Sequence, residues 1–393
     1  MTCAHESVCG GCGLQARPYA EQLSRKTRSW VARLPPAVLR SQPASRPLFL
    51  PVFPPDEPPW RFRQKVAFVF GTAADGRTLV MGHYARGSNR VVPVEECPVH
   101  SARGNRIAFA LRDELARAGV EAAGPALAGV VRHLIVRTTR DDREAVAMLV
   151  VTRNDKRLRK PVRAWLASSD RPDGFFINVH GAPGPYMVGR ETVRIEGRSQ
   201  IREQVGRFSY LISPTAFFQT NVRAAEALQA QVVAWLPVAS APSSPGMRIL
   251  ELYAGSGLFS LPLVAAGAHV VAVEENRQAA RDLEANLRLN RLPDRRLRCL
   301  ATRVEDAMVR LERDPWDAVL LDPPRQGCSE EVRHAVFRRI EPACVVYVSC
   351  NPDALAGELP FIIDAGYRLD DMRLVDMFPH TEHVEAVVRF VRA

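Results

Sequence analysis

The chain has 393 residues, 47% of them apolar, with 53 Lys+Arg against 43 Asp+Glu and a formal net charge of +10. That length supplies a full core for two or three domains, no apolar run approaches the roughly 20 residues of a membrane span, and the N-terminus lacks the apolar centre of a secretory signal. A soluble, cytoplasmic, membrane-free protein is expected, whose eight cysteines are thiols in a reducing compartment and not disulfides.

In chain order, residues 1–13 hold Cys3, Cys9 and Cys12 in the spacing C-x5-C-x2-C. Nine prolines between 35 and 59 exclude helix and central strand and predict an extended connector over the surface. From residue 60 to about 99, alternating runs such as KVAFVFG and TLVMGHY predict an antiparallel sheet. It ends at Cys97-Pro98, a fourth thiol. Four thiolates suit either tetrahedral zinc or an iron-sulfur cluster. SARGNRIAFALRDELARAG, 101–119, predicts a helix stopped by glycine. VRHLIVRTT and EAVAMLVVT return to strand character, a basic helix follows near 155–167, and INVH, YMVGRETVRIEG and RFSYLIS are again β-rich. A linker-like run, ASAPSSPG at 239–246, precedes a change of pattern.

Beyond Met247 the runs RILELYA, HVVAVEE, DAVLLD, CVVYVSC, YRLDDMRLVDMF and VEAVVRFVR alternate with mostly helical segments, which predicts a doubly wound α/β domain. The last two strands are separated only by residues 379–383, too few for a parallel crossover, so antiparallel pairing is expected. Charge divides at the same place. Residues 1–246 hold 34 Lys+Arg against 20 Asp+Glu, whereas 247–393 hold 19 against 23. A basic front end on a mildly acidic unit points to a polyanion, in practice nucleic acid. The run RNDKRLRKPVR, 153–163, is either an RNA contact or a solvated helix face.

The chemistry-bearing residues fall where predicted strands end. In LELYAGSGLFS, 250–260, Gly255 and Gly257 permit a tight turn and close approach to a ligand. Ser260 occupies the third glycine position of a dinucleotide fingerprint, which argues against a pyrophosphate cradle. Glu274 closes the next strand, where a carboxylate can accept ribose hydroxyls. Asp322 opens DPPRQGC, whose two prolines stiffen the loop. Cys350 ends CVVYVS just before Asn351-Pro352, a turn that cannot continue the strand. It is either a small apolar filler or a nucleophile aimed into a cleft. Glu385 lies just inside the last strand.

The pair E-x-Y-A-G-S-G and V-E resembles the first two motifs of the class I S-adenosylmethionine methyltransferase fold. LELYAGSG, DPPRQG, YVSCNPD and MFPHTEHVE in that order, with SPTAFFQTN at 213–221 and RFRQK at 61–65, resemble the RNA 5-methyluridine methyltransferases over nearly the whole chain. The resemblance implies a Rossmann-like α/β methyltransferase domain at 206–393, preceded by a β-rich α+β RNA-binding domain at 60–205. Residues 1–59 would form a cysteine cluster and connector. It implies Cys350 as the nucleophile adding to uracil C6 and Glu385 as the base removing the C5 proton. Gln219 would lie between cofactor and base and Asp322 in the same pocket. Tyr253, Gly255, Gly257 and Glu274 would face S-adenosylmethionine, and Arg303 stands where some members carry an asparagine beside the adenine.

By the same resemblance His380 and His383 are structural, as no metal binds there in the family, whereas Cys299, Cys328 and Cys344 lie on or beside predicted core strands and are read as small hydrophobes. The members acting on large-subunit ribosomal RNA carry a comparable cysteine set for a 4Fe-4S cluster, which implies that Cys3, Cys9, Cys12 and Cys97 hold one. A chain beginning at these cysteines is most like the shorter ribosomal RNA enzymes. A monomer acting on 23S ribosomal RNA is therefore expected. The T-loop of tRNA is the alternative substrate, and a noncatalytic RNA-binding factor the reading from another class.

Overall fold

The computed structural model describes the chain apart from residues 1–2, 36–47, 55, 57–58, 185–186 and 237–245. Much of the proline-rich connector and all of ASAPSSPG but Gly246 thus lie outside the described residues. Seven segments, β1 (Lys65–Thr72), β2 (Leu79–Tyr84), β3 (Val91–Pro93), β4 (Val131–Thr138), β5 (Ala145–Val151), β6 (Gly174–Val179) and the mostly exposed β7 (Glu191–Gly197), form one sheet in the order β3-β2-β1-β4-β5-β6-β7. Only β5 and β6 pair in parallel, because the helix Arg159–Leu166 crosses between them. Its Arg159, Lys160 and Arg163 face solvent while Val162, Trp165 and Leu166 are buried, so the basic run is the wet side of an amphipathic helix. The Trp165 indole N–H donates to the Ile107 carbonyl at 3.2 Å, locking this helix to Ala102–Arg117 over the sheet.

The opposite face of that sheet, with Ile135, Val146, Met148 and Phe176, packs on the hairpin β8 (Ile201–Val205) and β9 (Phe208–Ile212) and on the helix Val222–Trp235. This core continues into the second sheet through Ile249, Ala272, Leu320 and Val346. The domain limit that the sequence suggests between 205 and 206 falls where β8 ends and the β8–β9 turn begins.

The second sheet holds β10 (Arg248–Leu252), β11 (His269–Val273), β12 (Leu297–Leu300), β13 (Ala318–Leu321), β14 (Cys344–Ser349), β15 (Tyr367–Val375) and β16 (Glu385–Arg392), in the order β12-β11-β10-β13-β14-β16-β15. The first five are parallel. β15 and β16 pair antiparallel as their short connection requires, and β16 inserts between β14 and β15. The four-residue edge strand β12 was not among the predicted strands. Its residues are half-buried or exposed and Arg298 lies in it, so its apolar alternation is faint. The chain reverses its winding between β10 and β13, which opens a crevice beyond the carboxyl ends of those strands.

Two segments from the front of the chain brace this sheet. The described end of the connector pairs with β15: Leu50 N–H donates to the Leu374 carbonyl at 2.8 Å and Leu374 N–H to Leu48 at 2.9 Å. An otherwise open edge is thereby covered. The helix Tyr19–Val31 docks on the β15–β16 connection. Its fully buried Lys26 reaches Asp376 Oδ1 at 2.6 Å and the Phe378 carbonyl at 3.0 Å, and Tyr19 donates to Asp376 Oδ2 at 2.9 Å. Gln22 accepts the His380 N–H at 2.9 Å and contacts His380 Nδ1 at 3.2 Å, while Leu14 N–H donates to the His380 carbonyl at 2.8 Å. His380 is thus a buried structural residue, its Nε2 on the Pro59 carbonyl at 2.7 Å. Among the described residues, no helix is long and apolar enough to cross a membrane.

Candidate active site

Where parallel strands end, the side chains that follow them share one edge, and here the strand order sets their sequence in space. Glu274 follows β11, Tyr253 follows β10, Asp322 follows β13 and Cys350 follows β14. Four adjacent strands span roughly 14 Å. β16 runs the other way, so its first residue, Glu385, reaches the same edge. The last β14–β16 pair is Ser349 with Ala386, which makes Cys350 and Glu385 the next cross-strand neighbours.

These residues line one cavity of about 700 Å³ together with Gln219 and Gly255. Gly255 adopts φ +56 with nothing near a would-be Cβ, so its backbone conformation, not crowding, calls for glycine. Gly257 does not line the cavity: a Cβ there would meet Leu261 at 2.8 Å and Leu283 at 3.0 Å, so it serves the packing of the turn. Tyr253 holds φ +66, a left-handed conformation that non-glycine residues keep chiefly where the surroundings enforce it. Glu274 accepts N–H bonds from Gly255 at 2.8 Å and Asn276 at 2.7 Å, which fixes its carboxylate and leaves a second lone pair on each oxygen.

The segment 213–221 closes the cavity from the side and is pinned at both ends. Ser213 donates its N–H and its hydroxyl to Asp282, each at 2.8 Å, and Asn221 caps the helix Val222–Trp235 while its amide reaches the Met377 carbonyl at 3.3 Å. Gln219 is buried between those anchors, whereas Phe217 is 62% exposed at the cavity mouth. Asn351 joins the loops that follow β13 and β14, its amide donating to the Arg325 carbonyl at 2.9 Å while its side-chain oxygen caps the helix Pro352–Asp364.

Electrostatics distinguishes the acids. Burial pushes the Cys350 thiol up to about 11, with Glu385 adding to the rise and Arg325 opposing it. Burial also raises Glu385 to about 8, with Asp322 adding and Arg325 opposing, and raises Asp322 to about 7 with help from Glu274. The resting cavity therefore retains protons near neutrality, and Arg325 is the cation that favours the ionised thiol and carboxylate. Arg303 and Glu305 line the Glu274 side of the cavity. Sequence reasoning singled out neither Phe217, Phe378 nor Arg325; the first two lie in SPTAFFQTN and MFPHTEHVE, and Arg325 follows the two prolines of DPPRQGC. Cys299 and Cys344 lie in β12 and β14, but Cys328 is both buried and part of the cavity wall.

Cys3, Cys9, Cys12 and Cys97 line a second, enclosed cavity of about 60 Å³ with Trp60, Arg63 and His83. All four are free thiols. Burial raises Cys12 to about 12, with Cys97, Cys9 and Cys3 adding to the rise, so the four form one electrostatic group. Among the described residues no three Cys, His, Asp or Glu side chains converge tightly enough to hold a single metal ion.

Residues 187–393 match the family model described as tRNA (Uracil-5-)-methyltransferase. An uncharacterized RNA methyltransferase of Gloeobacter violaceus is 31% identical over 395 residues, covering 100% of this chain and 82% of the relative. One of Listeria innocua is 29% identical over 98% of this chain and 82% of its own length. The crystal structure of Pyrococcus abyssi tRNA (uracil-54, C5)-methyltransferase in complex with S-adenosyl-L-homocysteine has the same fold, with a TM-score of 0.74 at 24% identity, over 98% of this chain and 85% of that one.

Proposed function

Because the chain belongs to the tRNA (uracil-5-)-methyltransferase family and is an RNA methyltransferase, we propose that it transfers a methyl group from S-adenosylmethionine to C5 of a uridine in 23S ribosomal RNA through a covalent cysteine adduct. The observation that carries this reading is the cross-strand placement of Cys350 beside Glu385 in the cavity that also holds Glu274. Uracil C5 is too weak a nucleophile to take a sulfonium methyl directly. The Cys350 thiolate adds to C6, and the electron pair moves through C5 to O4. C5 then takes the methyl group as the sulfonium leaves as a neutral thioether. Glu385 accepts the C5 proton, and the returning electrons expel the Cys350 thiolate. Glu274, Tyr253 and Gly255 hold the nucleoside side, while Gln219 and Asp322 stand between it and the thiol. Phe217, exposed at the mouth, offers a face on which a base can stack.

The same chemistry on tRNA is the second reading, favoured by the family's name and by the tRNA enzyme of like fold. Nucleoside mapping decides between them. Deletion of the gene should remove one 5-methyluridine from 23S ribosomal RNA and leave transfer RNA unchanged. Loss confined to transfer RNA would replace the substrate, and unchanged 5-methyluridine in both would remove the function.

A 4Fe-4S cluster on Cys3, Cys9, Cys12 and Cys97 belongs to this reading, supported by the shared cavity of the four thiols. Bound there, it would crosslink the N-terminal segment to the end of the first sheet across the connector, and its binding free energy would become folding free energy. Protein purified without oxygen should be brown, with about four iron and four sulfide per chain. Cys97→Ser should lose the colour and make residues before Tyr19 sensitive to protease. Stoichiometric zinc without acid-labile sulfide would refute the cluster.

A further inference from the structure

Beside the catalytic cavity a second groove, about 320 Å³, is lined by Arg61, Arg140 and Arg223 with Phe53, Trp60 and Gln64 among its walls. Among the described residues no carboxylate lines it. All three arginines are exposed. Arg140 reaches Glu226 at 3.2 Å, but Arg61 and Arg223 make no ion pair among the described residues, and Arg223 lies over the Phe53 ring at 5.9 Å. The segment 217–223 contributes to both, Phe217 and Gln219 to the cavity and Asn221 and Arg223 to the groove. Gln64 N–H donates to the Thr220 carbonyl at 2.7 Å and its side chain accepts the Val222 N–H at 3.1 Å, stapling the start of β1 to the segment that carries Gln219. Gln219 and Arg223 are four residues apart, at most about 14 Å even in extended chain.

Next to Gln64 in the chain, the start of β1 carries a further basic pair outside the groove's lining. Lys65 and Arg137 are cross-strand partners on β1 and β4. Arg137 is only 3% exposed, and its Nε and one Nη are buried without a hydrogen-bond partner. Burial, with Arg137 and Arg63 adding, brings Lys65 down to about 7, and only Glu203 and Asp282 act on Arg137 from the acidic side.

Resting on the RNA-methyltransferase reading above, we propose that this groove binds the phosphodiester backbone of the single-stranded RNA next to the target uridine, with Arg61, Arg140 and Arg223 on the phosphates. A nucleic-acid strand fits better than an acidic peptide because the walls combine guanidinium groups with the rings of Phe53 and Trp60, the combination that holds phosphate and base together.

The test is fluorescence anisotropy of full-length protein with a labelled oligouridylate of about a dozen nucleotides across a salt series. The double substitution Arg61→Ala/Arg223→Ala removes only exposed side chains, and unchanged thermal melting and S-adenosylhomocysteine affinity verify the fold. RNA affinity should fall at least about tenfold, and the slope of log affinity against log salt should become shallower by about 1.4, roughly 0.7 for each phosphate that no longer meets a guanidinium. Arg159→Ala/Lys160→Ala, on the solvated helix, should change neither. Parent-like affinity and slope in the groove variant would overturn the proposal, as would an equal loss in the helix variant or full competition by polyglutamate. If the double variant methylates uridine with unchanged KM, the groove fails and the chemistry stands. If the parent binds RNA through the groove yet forms no 5-methyluridine, the groove stands and the chemistry fails.

Discussion

Cys350→Ala is expected to reduce uridine methylation by at least about 10⁴-fold, the scale of losing a covalent nucleophile, while S-adenosylmethionine still binds, because Glu274, Tyr253 and Gly255 follow other strands of the sheet. RNA carrying 5-fluorouridine at the target cannot release its C5 substituent to Glu385, so methylation should leave that RNA attached to Cys350 through denaturing electrophoresis. Glu385→Gln should accumulate the same adduct on normal RNA, with turnover lower by about 10² to 10⁴. A denaturation-resistant complex formed equally well by Cys350→Ala would sink the mechanism. The pH dependence has a defined sign. Both working forms are deprotonated, and burial holds Glu385 up near 8 and the Cys350 thiol near 11, so kcat/KM should rise as pH increases through about 8. A profile flat from neutrality upward would mean that neither group limits the reaction.

Lys26→Met should destabilise the protein by about 3 to 5 kcal/mol, because it strands Asp376 as a buried charge deprived of its ammonium. Lys26 and Asp376 are both almost fully enclosed, and the pair stands nine residues before Glu385 on the connection that the N-terminal helix covers. Chemical denaturation measures the loss directly. The double variant Lys26→Met/Asp376→Leu should recover part of it, since an apolar pair of similar size avoids the cost of desolvating two ions. Near-parental stability in Lys26→Met would show that the helix Tyr19–Val31 is held by Trp30 and Tyr19 alone and that the ion pair adds nothing.

The alternation of β and α patterns after Met247, and the ends of those strands, are readable because they are local signals: β-branched runs that stop at glycine, proline or asparagine. Those signals place Glu274, Asp322, Cys350 and Glu385 at strand termini, and the structure brings all four into one cavity. Gly257, expected beside the ligand, is not among the residues that line this cavity. Both Gly255 and Gly257 hold a positive φ and look alike in sequence, and only the nearby Leu261 and Leu283 set Gly257 apart as tightly packed. Arg61, Arg63 and Lys65 form one basic run, RFRQK, yet Arg61 is exposed, Arg63 faces the cysteine cavity and Lys65 lies against Arg137. The two-residue period of an extended chain says which side chains share a face, but not whether that face meets water.

The sequence by itself determined the residue types and their order along the chain: a thiol before Asn-Pro, a carboxylate opening the last strand, a small-residue turn after the first strand of the α/β unit, and a basic excess upstream. These depend on neighbours a few residues away, whose steric and hydrogen-bonding preferences are the same in any fold. The tertiary structure alone decided that β16 inserts beside β14, which sets Glu385 next to Cys350, and that a helix from the N-terminus buries Lys26 against Asp376, 350 residues later. It also decided that arginines from three separate segments share one groove. Such juxtapositions are fixed by strand order and by which apolar faces find each other, energies that belong to the whole packed chain and leave no mark in any short stretch of it.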